Sequence, residues 1–534
     1  MDLDHDACYR VITQRDARFD GRFFTAVRTT GIYCRPVCPA RTPHSKNVIF
    51  FPTAAAAQEA GFRPCLRCRP ETAPDMGAWR GTSNTVSRAL ALIELGALDE
   101  GNVEALADRL GLGERQLRRL FREHLGASPI GVAQTRRVLL AKQLIHETRL
   151  PMTEIAFASG FSSVRRYNEA FLELFGRAPG ELRRLGGEDV GVGSEGEFSL
   201  RLRYQPPYDW PAMLEFLRAR AITGVECVAS DGYYSRAIFL DGVQGVISIR
   251  PTDGNALSAR IRIEKLSTLP SIIARLRRVF DLAADPSAIS AHLAGDPVLA
   301  PLVAKRPGLR VPGAWDGFEL SMRAVLGQQI TVGAAVALAA RLVATYGRPL
   351  KMPERGLTHL FPLPEVLAKA DLTNLGMPKA RAATLSAVAA AVLKDPELLG
   401  ANCDLDDAVR RLRAIPGVGE WTAQYIALRQ LREPDAFPAS DIGVMRALAD
   451  AQGRRPSADE VLARAERWRP WRAYAAQHLW AAGATGATER SAPRERQAAT
   501  PKAAPRPAVK RDHQPPARAR SAVVRSRLGP LSRA

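Results

Sequence analysis

A tight glycine turn between two helical patterns constrains the C-terminal half of the chain more than any other feature. Residues 412–423 contain the end of an apolar helix at Ile415, the turn 416–419 and a second helix that begins near Glu420. Gly417 and Gly419 permit positive φ angles and let a ligand approach the backbone. Because unpaired N–H groups of such a turn suit a phosphate, the pattern predicts a hairpin that grips a nucleic-acid backbone without reading sequence. A glycine turn that serves packing alone is the alternative.

A single carboxylate, Asp441, follows the hairpin at the end of the string 437–441. The hairpin and this Asp together resemble the helix-hairpin-helix DNA glycosylase superfamily, in which the Asp after the hairpin is catalytic. Four further strings, at 204–210, 323–329, 375–378 and 468–472, resemble the AlkA-type 3-methyladenine DNA glycosylases in the same order. By that resemblance Gln329 stands where relatives insert an apolar wedge into the gap left by the flipped base.

The resemblance implies a mechanism that needs few groups. A base alkylated on a ring nitrogen is cationic, so its glycosidic bond is already weak, and a carboxylate such as Asp441 can stabilise the oxocarbenium-like sugar. Trp421, Tyr425 and Trp480 match pocket positions that attract a cationic base, and core packing is the alternative for each ring. Bifunctional members carry Lys where Trp421 stands, so we expect no strand-cutting lyase activity. Cys403 is the only cysteine after position 307, so we expect no iron–sulfur cluster.

The charge of the chain predicts a polyanionic partner. Its 75 Lys and Arg against 55 Asp and Glu give a net charge of +20. The acidic stretch 1–6 lacks the apolar core of a signal peptide, and no apolar run approaches the roughly 18 residues that span a bilayer. Seven cysteines without an export signal indicate a reducing compartment. Together with the resemblance above, these features lead us to expect a cytoplasmic, nucleoid-associated bacterial monomer that binds double-stranded DNA.

Four of the seven cysteines form two short pairs. Three residues separate Cys34 from Cys38, and two residues separate Cys65 from Cys68. Two such pairs can close a tetrahedral thiolate site, so we expect one Zn²⁺ bound by all four. A zinc ion that only holds a small domain together is the alternative.

The sequence around these pairs, at 24–36 and 61–65, resembles the N-terminal module of the Ada adaptive-response family. In that family the first cysteine also accepts a methyl group from a DNA methylphosphotriester, which implies that Cys34 is the acceptor. Zinc keeps the sulfur deprotonated, and loss of one thiolate charge weakens repulsion from DNA phosphate. Because all four sulfurs are thiolates, we expect exposure to select Cys34, with Arg28 and Arg35 attracting the phosphate.

Two patterns of a helix, a short turn and a basic helix, at 103–122 and 153–171, predict tandem helix-turn-helix units. In the first, Leu117 and Phe121 share one face and arginines occupy the other. The arrangement resembles the AraC-type double helix-turn-helix that follows the cysteine module in Ada. The expected DNA contacts are Arg118, Arg119, Arg165 and Arg166, and the expected core residues are Phe157, Phe161 and Phe171. A solvated face is the alternative for any one arginine.

The predicted fold class is multidomain and mainly α. We expect a small zinc-bound α/β module over 1–80, the AraC-type helix-turn-helix domain over 81–185 and a linker over 186–197. An AlkA-like α/β domain at 198–306, all-α helix-hairpin-helix glycosylase domains at 307–484 and a disordered basic tail at 485–534 complete the layout. Alternating apolar residues at 234–240 and 245–250 predict strands in the α/β domain, in which we identify no chemistry.

These features favour a fused alkylation-repair protein. The expected activity is a monofunctional N-glycosylase that releases 3-methyladenine and related bases by base flipping. It is joined to a methyl-accepting, sequence-specific regulator, for which the transcription machinery is a candidate partner. The alternative is a transcriptional regulator with a vestigial glycosylase half, against which Asp441 argues. The Pro-Cys-His-Arg string that carries the second acceptor of Ada is absent from the chain, so repair of alkylated guanine oxygen is not expected.

Overall fold

The cysteine-rich segment folds as a small sheet with two helices. A computed structural model describes residues 3–74, 84–185, 197–400 and 404–491. The N-terminal elements are α1 (His5–Gln14), β1 (Phe24–Val27), β2 (Ile32–Cys34), β3 (Val48–Phe51), α2 (Ala54–Glu59) and β4 (Arg63–Pro64). The strand order is β3-β1-β2-β4, and only β2 and β4 pair in parallel. Parallel pairing places Cys34, at the end of β2, beside the loop after β4 that carries Cys65.

Helices alone form the described module that follows, residues 84–185. They are α3 (Asn84–Glu94), α4 (Val103–Arg109), α5 (Glu114–Leu125), α6 (Pro129–Glu147), α7 (Met152–Ala158), α8 (Val164–Phe175) and α9 (Pro179–Leu185). The pairs α4–α5 and α7–α8 are helix-turn-helix units that flank the long helix α6. Asn102 and Ser163 cap α4 and α8 by accepting backbone N–H bonds. Leu117 and Phe121 are fully buried, as predicted.

The predicted core phenylalanines of the second unit have different environments. Phe171 is fully buried, and Phe161 is half-buried against Tyr167. The prediction of a core position for Phe157 is wrong, because 51% of its surface is exposed. Ile155, Ala156 and Ala158 form the buried side of α7. At about 100° per residue, Phe157 falls on the opposite side of the helix.

An antiparallel five-stranded sheet forms the centre of the next region. Its elements are β5 (Glu197–Arg203), α10 (Trp210–Arg220), β6 (Glu226–Val228), β7 (Tyr234–Leu240), β8 (Val243–Thr252), β9 (Ala256–Ile263), α11 (Leu269–Val279), α12 (Pro286–Leu293) and α13 (Leu299–Lys305). The strand order is β5-β9-β8-β7-β6, and β7 and β8 cover the predicted strands. Alternate residues such as Ile247, Ile249 and Ile261 face the core that includes α11.

Helices dominate the remainder of the described chain. They are α14 (Gly317–Leu326), α15 (Val332–Tyr346), α16 (Pro364–Leu367), α17 (Lys379–Lys394), α18 (Leu405–Arg413), α19 (Glu420–Ile426), α20 (Ile442–Ala447), α21 (Ala458–Ala465) and α22 (Arg472–Ser491). A hairpin of β10 (Arg348–Glu354) and β11 (Leu357–Leu360) interrupts them, which the all-α expectation did not include. Among the described helices, none combines the length and apolar character needed to cross a membrane.

Two predicted segments fall largely outside the described residues. The predicted linker lies there from 186 to 196, and so does Cys403. The predicted tail begins inside α22, which continues to Ser491, and its remainder, 492–534, lies outside the described residues.

Polar contacts join the N-terminal modules to the five-stranded sheet. Glu147, the last residue of α6, accepts a hydrogen bond of 2.9 Å from the backbone N–H of Arg201 on β5. Arg69, next to Cys68, forms an ion pair of 3.3 Å with the same carboxylate. Gln205, just after β5, donates to the carbonyl of Arg18 over 2.6 Å. The cysteine module, α6 and the sheet therefore share one polar interface.

Candidate functional sites

The glycine turn lies between α18 and α19, where the sequence placed it. Gly417 has a φ angle of +84°, and a Cβ there would overlap the Thr384 side chain, so conformation and packing both require glycine. Gly419 has a φ angle of −89°, and the space around its Cα is open. Gly419 therefore does not use the positive φ that glycine permits. This residue instead presents bare backbone at the first turn of α19.

Asp441 is held by three hydrogen-bond donors. It caps α20, and its Oδ1 accepts bonds from the backbone N–H of Val444 (3.0 Å) and from Nε1 of Trp480 (2.8 Å). Its Oδ2 accepts a bond of 2.8 Å from Nε1 of Trp421. The carboxylate is half-buried. Both oxygens are therefore fixed between two indole rings at the start of a helix.

The three predicted pocket aromatics lie together beside this carboxylate. Trp421 and Tyr425 stack with ring centroids 5.3 Å apart and planes 13° from parallel. Trp480 meets Tyr425 at 6.3 Å with an interplanar angle of 64°. Aromatic rings attract cationic or electron-poor bases, so this half-buried group can line a base pocket.

Two further residues of this cluster carry no signal in the sequence. The guanidinium carbon of Arg429 lies 4.6 Å from the ring centroid of Phe216, 5.4 Å from that of Tyr425 and 5.1 Å from that of Trp480. Phe216 belongs to α10, in the region where no chemistry was expected. Arg429 is buried and donates to Gln477. An apolar residue and an arginine within helical patterns look like ordinary core and surface positions, so only the fold identifies them.

Arg429 also changes the acidity of the tyrosine in the cluster. Burial by itself raises the pKa of the Tyr425 hydroxyl, but the neighbouring guanidinium groups of Arg429 and Arg220 outweigh burial, and the pKa lies below its ordinary value. For Arg429 burial disfavours the charged form, and it lowers the pKa of the guanidinium to about 10. Tyr425 is therefore a polarised hydroxyl as well as a stacking surface.

The four predicted zinc ligands form one cluster. The sulfur atoms of Cys34, Cys38, Cys65 and Cys68 all lie within 4.8 Å of one another. Four thiolates at about 2.3 Å from a central zinc ion would be separated by about 3.8 Å, so this donor set fits tetrahedral zinc. The backbone N–H groups of Arg35 and Arg67 donate to the sulfurs of Cys68 and Cys65 over 3.4 and 3.3 Å.

The structure corrects the predicted role of Arg35 beside the cluster. Its side chain is buried, forms an ion pair with Asp20 and donates to Thr72 over 2.8 Å. The prediction that Arg35 attracts a DNA phosphate is therefore wrong, because its guanidinium is satisfied inside the module. Arg28 is exposed, as that role requires. Exposure also does not single out Cys34, since Cys34 and Cys38 are both half-buried.

Comparison with known families gives matches to consecutive parts of the chain. The metal binding domain of Ada matches residues 7–71, and a helix-turn-helix domain matches 106–185. The AlkA N-terminal domain matches 199–316, and the HhH-GPD superfamily base excision DNA repair protein matches 322–473. The metal-binding match and the clustered sulfurs together assign one Zn²⁺ to the four cysteines.

A relative from Mycobacterium tuberculosis, described as a probable bifunctional transcriptional activator/DNA repair enzyme AlkA, spans almost the whole chain. It is 43% identical over 482 residues, which are 90% of this chain and 97% of the relative. The chain belongs to this AlkA-type bifunctional family. DNA-3-methyladenine glycosylase 2 of Escherichia coli is 38% identical over 52% of this chain and 95% of its own length. The 3-methyladenine DNA glycosylase structure from Archaeoglobus fulgidus aligns at 25% identity with a TM-score of 0.47, over 53% of this chain and 98% of that one.

About a third of the chain is also similar to proteins of the Ada type. The bifunctional transcriptional activator/DNA repair enzyme Ada of Escherichia coli is 35% identical over 190 residues, which are 36% of this chain and 52% of that relative. The chain therefore spans about half of the length of Ada. The AlkA-type bifunctional architecture thus combines segments similar to two separate proteins.

A buried lysine joins the zinc centre of this AlkA-type bifunctional protein to the helix-turn-helix module. Lys142 lies on α6 with no exposed surface. Its Nζ donates to the main-chain carbonyl of Cys65 over 3.1 Å and to Oε2 of Glu71 over 2.6 Å. The Glu71 side chain is only 1% exposed. The helix that carries both DNA-binding units is therefore anchored directly to a zinc-ligand loop.

All four arginines predicted to contact DNA are exposed on α5 and α8. Arg118 and Arg165 form ion pairs with Glu114 and Glu169, one helical turn away. Arg119 and Arg166 are exposed. Their exposure on the second helix of each unit suits contact with DNA.

The loop before α15 places Gln329 next to the glycine turn. Gln328 donates to the carbonyl of Gly417 and to the hydroxyl of Thr422, both over 3.1 Å. Gln329 is exposed and has a φ angle of +55°. The loop is thus fixed to the hairpin while the Gln329 side chain points away from the core, as a wedge would.

Proposed function

We propose that this protein removes alkylated bases from DNA as a monofunctional N-glycosylase and regulates alkylation repair as a methyl-accepting transcriptional activator. The observation that carries the first part is the Asp441 carboxylate, fixed by two indole N–H groups beside stacked rings. The second part rests on the four-cysteine centre and its buried contact with α6. Double-stranded DNA is the common partner, and the protein acts on it as a cytoplasmic monomer.

In base release, the bond between the sugar C1′ and the base nitrogen breaks, and its electron pair neutralises the positive charge of the alkylated base. The flipped base lies against Trp421, Tyr425 and Trp480, whose π faces favour a cationic or electron-poor ring. Asp441 stabilises the positive charge that develops on the sugar, and water adds at C1′ and loses its proton. Trp421 occupies the position of the Lys of bifunctional relatives and offers no amine for a Schiff base, so the abasic strand stays intact.

The experiment that tests this activity is base release from methylated duplex DNA by the purified full-length chain. We expect 3-methyladenine in the soluble fraction and uncut abasic strands in the DNA. Absence of released base would contradict the glycosylase assignment and favour a regulator with a vestigial glycosylase half.

Methyl acceptance requires the four-cysteine centre. Bound zinc keeps the sulfurs as thiolates at neutral pH. The Cys34 sulfur attacks the methyl carbon of a phosphotriester, so that an S–C bond forms and a C–O bond breaks. The electron pair leaves with the phosphate oxygen, which restores an anionic phosphodiester. The centre loses one negative charge, and operator DNA is repelled less.

We expect phosphotriester-containing DNA to methylate Cys34 once per chain. Cys65 and Cys68 are buried, with 7% exposure each, while Cys38 is half-buried, as Cys34 is. Tandem mass spectrometry that separates Cys34 from Cys38 therefore gives the decisive readout, with phosphotriester-free DNA as the control. A methyl group on Cys38 would refute the acceptor assignment.

The hairpin assignment is tested most cleanly at Gly419. Gly419→Asp supplies a favourable N-cap for α19 in an open, unstrained position, so we expect the free energy of unfolding to be retained. The added charge would repel a DNA phosphate, and we expect about tenfold weaker binding to undamaged duplex, or about 1.4 kcal/mol. Gly419→Asn is the matched neutral control. Equal affinities of Gly419→Asp and the wild type would show that the turn serves packing alone.

A further inference from the structure

The outer face of the five-stranded sheet carries arginines where the sequence indicated no chemistry. Residues of β7 alternate between the core and this face, so Ser235, Ala237 and Phe239 point outward with Tyr233 just before them. The hairpin β10–β11 lies on this face, where Leu350 and Leu357 pack against Ala237. The sheet and hairpin together form one continuous outer surface.

At one end of this surface, three guanidinium groups surround the ring of Tyr233. Their central carbons lie 4.8 Å (Arg250), 5.4 Å (Arg260) and 5.4 Å (Arg355) from the ring centroid. They come from β8, β9 and the turn of the hairpin. Arg260 has a carboxylate partner in Glu197 at 3.1 Å. Exposed Arg250 has none within ion-pair distance in the described part of the chain.

At the other end, Arg348 repeats the arrangement. Its guanidinium carbon lies 4.1 Å from the ring centroid of Phe239. The residue is exposed and, among the described residues, forms no ion pair with a carboxylate. Phe239 lies on β7 and Tyr233 immediately precedes that strand, so the two are six residues apart, which corresponds to about 20 Å of extended chain. That length equals the axial rise of about six base pairs of duplex DNA.

We propose that this surface, centred on Arg250 and Arg348, is an accessory contact for the phosphate backbone of duplex DNA. Stacking on an aromatic ring fixes one face of each guanidinium and leaves its N–H edge free to bind phosphate in a bidentate manner. DNA held by the helix-turn-helix units or by the glycine turn presents its phosphates at high effective concentration. The surface contacts no base and adds affinity without sequence preference. It does not depend on catalysis by Asp441 or on methylation of Cys34.

The test removes both unpaired charges in the full-length protein. For Arg250→Ala with Arg348→Ala we expect weaker binding to undamaged duplexes of any sequence, and a slope of log K against log salt that is smaller by about two. The control, Arg218→Ala with Arg455→Ala, removes two exposed arginines elsewhere that likewise form no ion pair among the described residues. It has the same net charge as the test variant. Single-turnover base release at saturating enzyme should not change in either variant.

A second measurement uses the DNA itself. The hydroxyl-radical footprint of the wild type should include protected deoxyriboses of the backbone that the Arg250→Ala, Arg348→Ala variant leaves open. If the salt slope of the Arg250→Ala, Arg348→Ala variant equals that of the wild type, the proposal is overturned. An acidic protein would then be the next partner to test for this surface. An equal loss of slope in the control would also overturn it, because binding would then depend on total charge rather than on this surface.

Discussion

Replacing Asp441 by asparagine will abolish base release while DNA binding persists. The reaction builds positive charge on the sugar, and a neutral amide cannot stabilise that charge as a carboxylate does. We expect a loss of at least about 10³-fold in the single-turnover rate, or about 4 kcal/mol of transition-state stabilisation. Asparagine is a good N-cap, so α20 should remain intact.

The hydrogen bonds around Asp441 require one refinement of this variant. An amide oxygen at the Oδ1 position can keep the bonds from Val444 and Trp480. The amide nitrogen would then face the indole N–H of Trp421, and two donors would oppose each other. Trp421→Phe removes that opposing donor and keeps an aromatic ring. The double variant Asp441→Asn, Trp421→Phe therefore separates loss of charge from local hydrogen-bond conflict.

Single-turnover assays on methylated duplex DNA give the comparison. Trp421→Phe alone retains the carboxylate but loses one hydrogen bond to it, so we expect a smaller loss than for Asp441→Asn, of about 1.5–3 kcal/mol. Both variants that carry Asp441→Asn should be inactive and should bind DNA as the wild type does. Recovery of activity in the double variant would show that geometry, and not charge, causes the loss.

The features predicted correctly from the sequence are those encoded by short local strings. The turn at Gly417, the four cysteines and the strands β7 and β8 each depend on a few consecutive residues. The second helix of the first helix-turn-helix unit could also be located, because the period of Leu117 and Phe121 fixes which side of α5 is buried. These features can be predicted without knowledge of contacts between distant segments.

The features missed depend on contacts between distant segments. Arg35 stands in a cysteine-rich loop that suggested phosphate attraction, but Asp20 and Thr72 satisfy its guanidinium inside the module. Arg429 and Phe216 are more than 200 residues apart in the chain and form one cluster. The hairpin β10–β11 is stabilised by packing on the sheet, which a helical composition around it does not reveal.

Breaking the buried pair of Lys142 and Glu71 will destabilise the N-terminal modules by about 3–5 kcal/mol. Both side chains are almost fully removed from water, with exposures of 0% and 1%. Glu71→Met leaves a buried ammonium group without its counter-charge. After Lys142→Met the Glu71 carboxylate keeps Arg69 as a partner at 3.2 Å, so we expect Lys142→Met to cost less than Glu71→Met. The double variant replaces the pair by apolar side chains of similar length, and we expect most of the lost stability to return.

Hydrogen exchange of the α6 amides in the zinc-loaded full chain measures this cycle. Exchange reports the local opening free energy, so the glycosylase half does not obscure the result. We expect faster exchange in both single variants and near wild-type protection in the double variant. A loss of protection in the double variant equal to the sum of the losses in the two single variants would show that the residues do not act as a pair.

The double variant also tests how methylation of Cys34 reaches DNA. Lys142 joins the Cys65 loop to the helix that carries both DNA-binding units, so it is a candidate path for a signal from the zinc centre. With Met at both positions, zinc binding and methyl acceptance should persist, because no sulfur ligand changes. If the signal passes through α6, the gain in operator affinity on methylation should be smaller in the double variant than in the wild type. If the gain comes only from reduced repulsion between thiolates and phosphate, it should be the same in both proteins. A gain that is equal in both proteins and falls with rising salt would establish the electrostatic route and exclude Lys142 as a link.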